Sequence, residues 1–164
     1  MILIGLGANL ASLEFGAPPR SLEAALSLMA EHGLRTVARS RWYRSAPVPP
    51  SDQSWFVNGV VAVETTLEPA AVLEILHEIE ARFGRVRREK NAARVLDLDL
   101  LAYDDRVSGE GEAPILPHPR LHERAFVLRP LAEIAPDWRH PRLGSAVEAL
   151  IADLPPESAA DPLD

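Results

Sequence analysis

An α+β fold, an antiparallel sheet covered by helices, follows from three features of this 164-residue sequence. Segments of strand and helix character run in the order strand, helix, strand, strand, helix, strand, then helices. Within them the apolar residues follow either strand alternation or helical spacing. Glycine and proline punctuate the boundaries. A β-α-β-β-α-β core in that order is the ferredoxin-like arrangement, here with added C-terminal helices.

Met1–Gly7 reads as a short buried strand, and Ala8–Pro19 as a loop. Arg20–His32 is helical, with Leu22, Leu26 and Met29 on one face and Gly33 as its stop. Leu34–Arg44 favours a strand through Val37, Trp42 and Tyr43. Pro47, Pro49 and Pro50 make Ser45–Ser54 a loop of restricted backbone freedom. Trp55–Thr65 is a strand rich in β-branched residues. Pro69 opens a helix that runs to about Phe83, with Val72, Leu73, Leu76, Ile79 and Phe83 at helical spacing and Gly84 as its end. A basic loop then leads into the strand of Asp97 and Asp99, which turns at Asp104-Asp105. Pro114–Pro119 approaches a helical region over Leu121–Ile134, and Ser145–Leu154 is a last amphipathic segment. Residues 1–154 are expected to form one domain, and 155–164 a flexible tail that frays.

The composition narrows the function classes. A hydrophobic content of 47% and a charged content of 25% describe an ordinary globular chain. A net charge of −7 argues against a broad nucleic-acid-binding face. There are no cysteines, hence no disulfide and no thiolate metal site. Met1-Ile2-Leu3-Ile4-Gly5 is too short and lacks the basic flank of a signal peptide, and no apolar run has the length of a membrane span. The expected location is the cytoplasm, with no membrane or nucleic-acid partner.

The chemistry concentrates in Arg94-Val95-Leu96-Asp97-Leu98-Asp99-Leu100-Leu101. On an extended strand, Asp97 and Asp99 point one way and Leu96, Leu98 and Leu100 the other. The two carboxylates then stand about 6.5–7 Å apart. That spacing lets each reach one ion of a divalent pair about 3.5–4 Å apart. A half-buried strand that simply shows two acids to water has the same pattern. Upstream, Arg82, Arg85, Arg87, Arg88, Lys90 and Arg94 place six cations in thirteen residues, against the single acid Glu89. Taken alone, such a run is a solvated loop. Beside paired carboxylates it is what a polyphosphate needs, with metals bridging some oxygens and guanidinium forks holding others.

Other motifs are missing. There is no P-loop, and Gly5-x-Gly7 lacks the third glycine of a dinucleotide fingerprint. His118-x-x-x-His122 lacks the glutamate of a zinc-protease helix, and no serine or cysteine nucleophile motif occurs.

Several segments occur together in order: Gly5-Leu-Gly-Ala-Asn9, Tyr43-Arg-Ser-Ala-Pro47, Phe56-Val-Asn58, Glu80…Gly84-Arg85-Val-Arg87, Arg94-x-Leu-Asp-Leu-Asp99 and Pro117-His-Pro-Arg…Arg124-Ala-Phe126. Together they resemble the 6-hydroxymethyl-7,8-dihydropterin pyrophosphokinase family of folate biosynthesis, from Met1 to about Leu150. The resemblance implies Mg-dependent transfer of pyrophosphate from ATP to the pterin hydroxymethyl oxygen, leaving AMP. It implies two Mg²⁺ ions held by Asp97 and Asp99, and phosphate stabilisation by Arg85 and Arg94. His77, Glu80, Arg87, Arg88, His118 and Arg124 would contact ATP. Phe56 and Phe126 would stack on the pterin, Asn58 would pair with its edge, and main-chain groups around Ser45, Ala46 and Val48 would complete that edge. Asn9 would help position the pocket loop. The loops Ser45–Ser54 and Gly84–Ala93 would close over the substrates, and a monomer is expected rather than a homodimer.

The sequence departs from the family pattern at Glu89-Lys90-Asn91-Ala92-Ala93, which has none of the Trp, Gly or Pro that some relatives carry there. Pro119 likewise replaces a residue that is often aromatic. Two other classes share part of the pattern. A ligand-sensing module would have no use for the cations beside the acids, and a Mg²⁺-dependent nuclease would need a basic track that the net charge opposes.

Overall fold

The computed structural model describes residues 1–9, 16–46, 55–84 and 95–163. Along the chain these form β1 (Ile2–Ala8), α1 (Pro18–Glu31), β2 (Arg35–Arg39), β3 (Tyr43–Ser45), β4 (Phe56–Glu64), α2 (Pro69–Arg82) and β5 (Asp97–Tyr103). A 3₁₀ turn (Leu121–Glu123), α3 (Ala125–Ile134), α4 (Val147–Ala152) and β6 (Asp161–Pro162) follow. The sheet order is β5–β1–β4–β3–β6, with β2 also paired to β4, and every pairing is antiparallel. The expected ferredoxin-like core is therefore present, with β2 and β3 sharing the place of its second strand.

That sharing differs from the single strand expected over Leu34–Arg44. β2 pairs with Val61–Glu64 and β3 with Phe56–Asn58, so the two are successive pieces of one sheet edge. Between them the Ser40 hydroxyl accepts the Val60 N–H at 3.0 Å, in place of a backbone carbonyl. The Trp42 ring lies against Gly59, where a Cβ would stand 2.5 Å from two ring carbons. A bulky ring folded onto the neighbouring strand interrupts regular pairing, and only glycine leaves room for it.

Strand alternation gives the sheet two unlike faces. Ile2, Ile4, Leu6, Val61, Val63, Leu98 and Leu100 pack under α1 and α2, with Leu22, Met29, Val72, Leu76 and Ile79. Leu3, Val60, Ala62 and Leu101 pack under α3 and α4, with Leu128, Leu131, Val147 and Leu150.

Two further expectations change. The helical region over Leu121–Ile134 is divided at Arg124, whose extended backbone (φ −113°, ψ 111°) separates the 3₁₀ turn from α3. The tail, expected over residues 155–164 to fray, is held to the sheet within its described part: Asp161–Pro162 lie along β3, and the Leu163 N–H reaches the Trp42 carbonyl at 2.9 Å. Ala160 anchors it in a buried position.

Candidate active site

The site lies on the α3 side of the sheet, beyond the end of its apolar core. Asp97 and Asp99 are half-buried on β5, while Leu98 and Leu100 between and beyond them are buried on the opposite face. The alternation read from the sequence is therefore what the strand does. Asp97 is in register with Gly7 and Asp99 with Gly5, and Gly7 is in turn in register with Asn58 on β4. Directly paired residues share a face, so Asn58, Gly7 and Asp97 form one row across three strands.

Gly7 is what makes the row usable. A Cβ at this position would stand 2.7 Å from Asn58 Nδ2, so the glycine lets the amide lie flat across the strand. Asn58 is buried, and its Oδ1 accepts the Ser45 hydroxyl at 2.8 Å. With the oxygen engaged on β3, the NH₂ end is directed over Gly7, toward the side of Asp97. A buried amide without such a partner would cost about 1–3 kcal/mol. Phe56, two residues before Asn58, is in register with Ser45 and half-buried, and Ala46 beyond it is exposed.

The segment that closes the site runs from Leu116 to Phe126. The His118 N–H bonds the Leu101 carbonyl at 2.8 Å, which docks this segment onto β5. His118 Nδ1 accepts the Arg120 N–H at 3.2 Å, leaving its proton on Nε2. Burial pushes the imidazole down to about 4, helped by the nearby Arg124 and Arg120 cations and opposed by Asp97. His118 is thus a neutral donor at pH 7. Arg124 Nη1 lies 3.9 Å from Asp99 Oδ2, and its guanidinium sits over the Phe126 ring, 5.4 Å from the centroid. The break between the 3₁₀ turn and α3 falls at Arg124 itself, so the end of the turn and the start of the helix present Arg124 and Phe126 together. Phe126 is half-buried.

Glu80, expected to contact ATP, projects from α2 toward the sheet. Its carboxylate is 1% exposed on the α2 side of the sheet, and Oε2 accepts the Leu98 N–H at 2.8 Å. It braces β5 from behind, at the residue between the two aspartates. His77 is exposed on α2. Arg85, Arg87, Arg88, Arg94 and Val48 lie outside the described residues, as do most of the two loops expected to close. The site residues that the sequence reading missed are Gly7 and the Ser45 hydroxyl. The alternate glycines Gly5 and Gly7 on a strand were the available signal, since they share one face.

Among the described residues no group of three or more His, Asp, Glu or Cys side chains could hold a metal. Two half-buried carboxylates on one strand face nonetheless suit Mg²⁺, which uses one or two protein carboxylates and leaves its other positions to water and phosphate oxygens.

Residues 3–136 match the family described as 7,8-dihydro-6-hydroxymethylpterin-pyrophosphokinase, or HPPK. The chain belongs to the HPPK family. A relative from Methylorubrum extorquens, named 2-amino-4-hydroxy-6-hydroxymethyldihydropteridine pyrophosphokinase, is 46% identical over 135 residues, 82% of each chain. A Pseudomonas aeruginosa relative of the same name is 40% identical over 155 residues, 94% of this chain and 91% of its own. The HPPK fold recurs in a solved Plasmodium falciparum HPPK-DHPS structure with pteroate, at TM-score 0.70 and 14% identity. That match covers 92% of this chain but only 43% of the longer Plasmodium chain.

Proposed function

We propose that this protein transfers pyrophosphate from ATP to the hydroxymethyl group of 6-hydroxymethyl-7,8-dihydropterin, giving the pterin diphosphate and AMP in folate biosynthesis. The observation that carries the reading is the row Asn58–Gly7–Asp97, with Asp99 and Arg124 beside it. It sets a hydrogen-bonding edge for a flat heterocycle within a few residues of a divalent-metal carboxylate pair. Phe56 and Phe126 supply the ring faces, and Asn58 pairs with the polar edge, supported by main-chain groups at Ser45, Ala46 and Val48.

Asp97 and Asp99 would hold two Mg²⁺ ions, which supply charge neutralisation on the triphosphate. The hydroxymethyl oxygen attacks the β-phosphorus and gives up its proton, while the bond from that phosphorus to the α–β bridging oxygen breaks and AMP leaves. This chain's part is mainly to position and to neutralise. Neutral His118 donates a hydrogen bond to a phosphate oxygen, and Arg124 adds a cation beside Asp99. Arg85 and Arg94 stabilise the migrating charge, with Arg87, Arg88 and His77 as further nucleotide contacts. The protein acts as a cytoplasmic monomer on small molecules alone. Phosphorus NMR of a reaction with ATP, Mg²⁺ and the pterin tests this reading. AMP with a new pterin diphosphate signal is expected, whereas ADP or no turnover by folded protein would overturn it.

A further inference from the structure

The segment beyond α4 is the part of the chain least expected to matter, and it lies outside the matched residues 3–136. We infer that Leu154–Leu163 is a positioning element of the pterin site, in which Ala160 and Leu154 brace Phe126 on one side and β3 on the other. The inference rests on the site reading above.

Ala160 is 3% exposed and packs with Tyr43 and Ala125, while Phe126 and Leu154 lie against the same cluster. The tail therefore shares one apolar cluster with the residue before Phe126, and Phe126 packs against that cluster. On the other side β6 extends the sheet, with Pro162 in register with Tyr43 and Asp161 with Arg44. β3 is only three residues long, at the short end of the usual range for strands. It nonetheless carries Ser45, whose hydroxyl orients Asn58. Pairing to β4 on one edge and β6 on the other holds it in place. Tyr43 ties the same strand to α3 through a hydrogen bond from its hydroxyl to the Glu133 carboxylate. Both walls of the pterin slot, the Asn58 edge and the Phe126 face, thus converge on one small buried alanine.

The test uses two variants of the full chain. Ala160→Glu puts a larger, charged side chain where a buried methyl packs, so the tail leaves rather than accommodate it. Leu154→Ala trims the contact without a charge. Affinity for 6-hydroxymethyl-7,8-dihydropterin is measured by titration with Mg²⁺ and a nonhydrolysable ATP analogue present, and affinity for that analogue is measured separately. Amide exchange of β3 and Leu163 reports whether the tail has undocked.

Ala160→Glu is expected to weaken pterin binding about fivefold to tenfold and Leu154→Ala about twofold, with nucleotide affinity held within about twofold. Unchanged pterin affinity in an undocked Ala160→Glu protein overturns the inference, and so does an equal loss of both affinities. Should Ala160→Glu fail to fold, unchanged pterin affinity in Leu154→Ala overturns it. A Phe126→Ala control separates the two levels: if that variant binds pterin normally, the site reading itself fails. If Phe126→Ala binds weakly and the tail variants bind normally, only the brace fails.

Discussion

Strand β1 sends Ile2, Ile4 and Leu6 to the α1–α2 face of the sheet and Leu3, Gly5 and Gly7 to the other. Its neighbours repeat the contrast. β5 gives Leu98 and Leu100 to the first face and Asp97 and Asp99 to the second; β4 gives Val61 and Val63 to the first and Asn58 and Val60 to the second. Along β1, β4 and β5 the first face is apolar. The second is apolar only where α3 and α4 cover it, and changes to glycine, amide and carboxylate where they stop. Each fully buried leucine or valine contributes about 1.5–3 kcal/mol. One continuous apolar face can therefore offset an opposite face whose open end does little for stability. The same strands carry both, so the chemistry inherits the rigidity of the core.

The largest effects should separate the faces cleanly. Asp97→Ala or Asp99→Ala is expected to lower turnover about 10³-fold or more. Their melting temperature should stay within about 3 °C of the parent. On the other face, Leu6→Ala should cost about 2–5 kcal/mol in denaturant unfolding, through the cavity it leaves. A large loss of stability in the aspartate variants would blur the contrast.

Glu80 lies between the two cases, a charged side chain on the apolar face. Glu80→Ala leaves the buried Leu98 amide without this acceptor and should cost about 1–3 kcal/mol. Glu80→Gln keeps an acceptor oxygen and should cost less. Exchange of the Leu98 amide should accelerate in the alanine variant and stay nearer the parent in the glutamine variant.

The two glycines of β1 sharpen the comparison within the open end. A methyl group at Gly7 would meet the Asn58 amide at 2.7 Å, and one at Gly5 the flexible end of Leu101 at 3.3 Å. Gly7→Ala should therefore weaken pterin binding about tenfold by turning the amide, an effect of the size expected when a supporting contact is lost. Gly5→Ala should leave pterin affinity near the parent value, because the Leu101 terminus can yield. Equal losses in a binding titration would show that Asn58 is not the sensitive partner.

A further effect is on pH. The folded pKa of His118, about 4, lies below the ordinary 6.5, so the unfolded chain binds more protons between those values. Stability should be full above about pH 6.5 and decline as pH falls toward 4; His140, also shifted down by burial, adds in the same direction. His118→Gln should flatten the decline in denaturant melts across that window.

Much of this was legible in the sequence because periodicity reports burial directly. The alternation Leu96-Asp97-Leu98-Asp99-Leu100 put the carboxylates on the face opposite Leu98 and Leu100, as observed. Pro69 and Gly84 bounded α2 closely. What periodicity cannot report is which strands become neighbours, so the row Asn58–Gly7–Asp97 emerged only from strand order and register. The break in the β2–β3 edge depends on Trp42 crossing to Gly59, a tertiary contact with no local signal. The polar composition near the end of the chain gave no sign that Ala160 would be buried. That Glu80 turns inward to the Leu98 amide has no signal in helical spacing, and only the packing of α2 against β5 shows it.

The most direct test of the central claim, that the open end of this face is the reaction site, is phosphorus NMR on three proteins side by side: the parent, Asp97→Ala and Asp99→Ala. With ATP, saturating Mg²⁺ and 6-hydroxymethyl-7,8-dihydropterin, the parent should produce AMP and a pterin diphosphate. Both variants, folded to the same melting temperature, should leave the ATP signals unchanged over the same time. Turnover by both variants within about tenfold of the parent would contradict the account, because a metal-binding carboxylate cannot be removed at so small a loss.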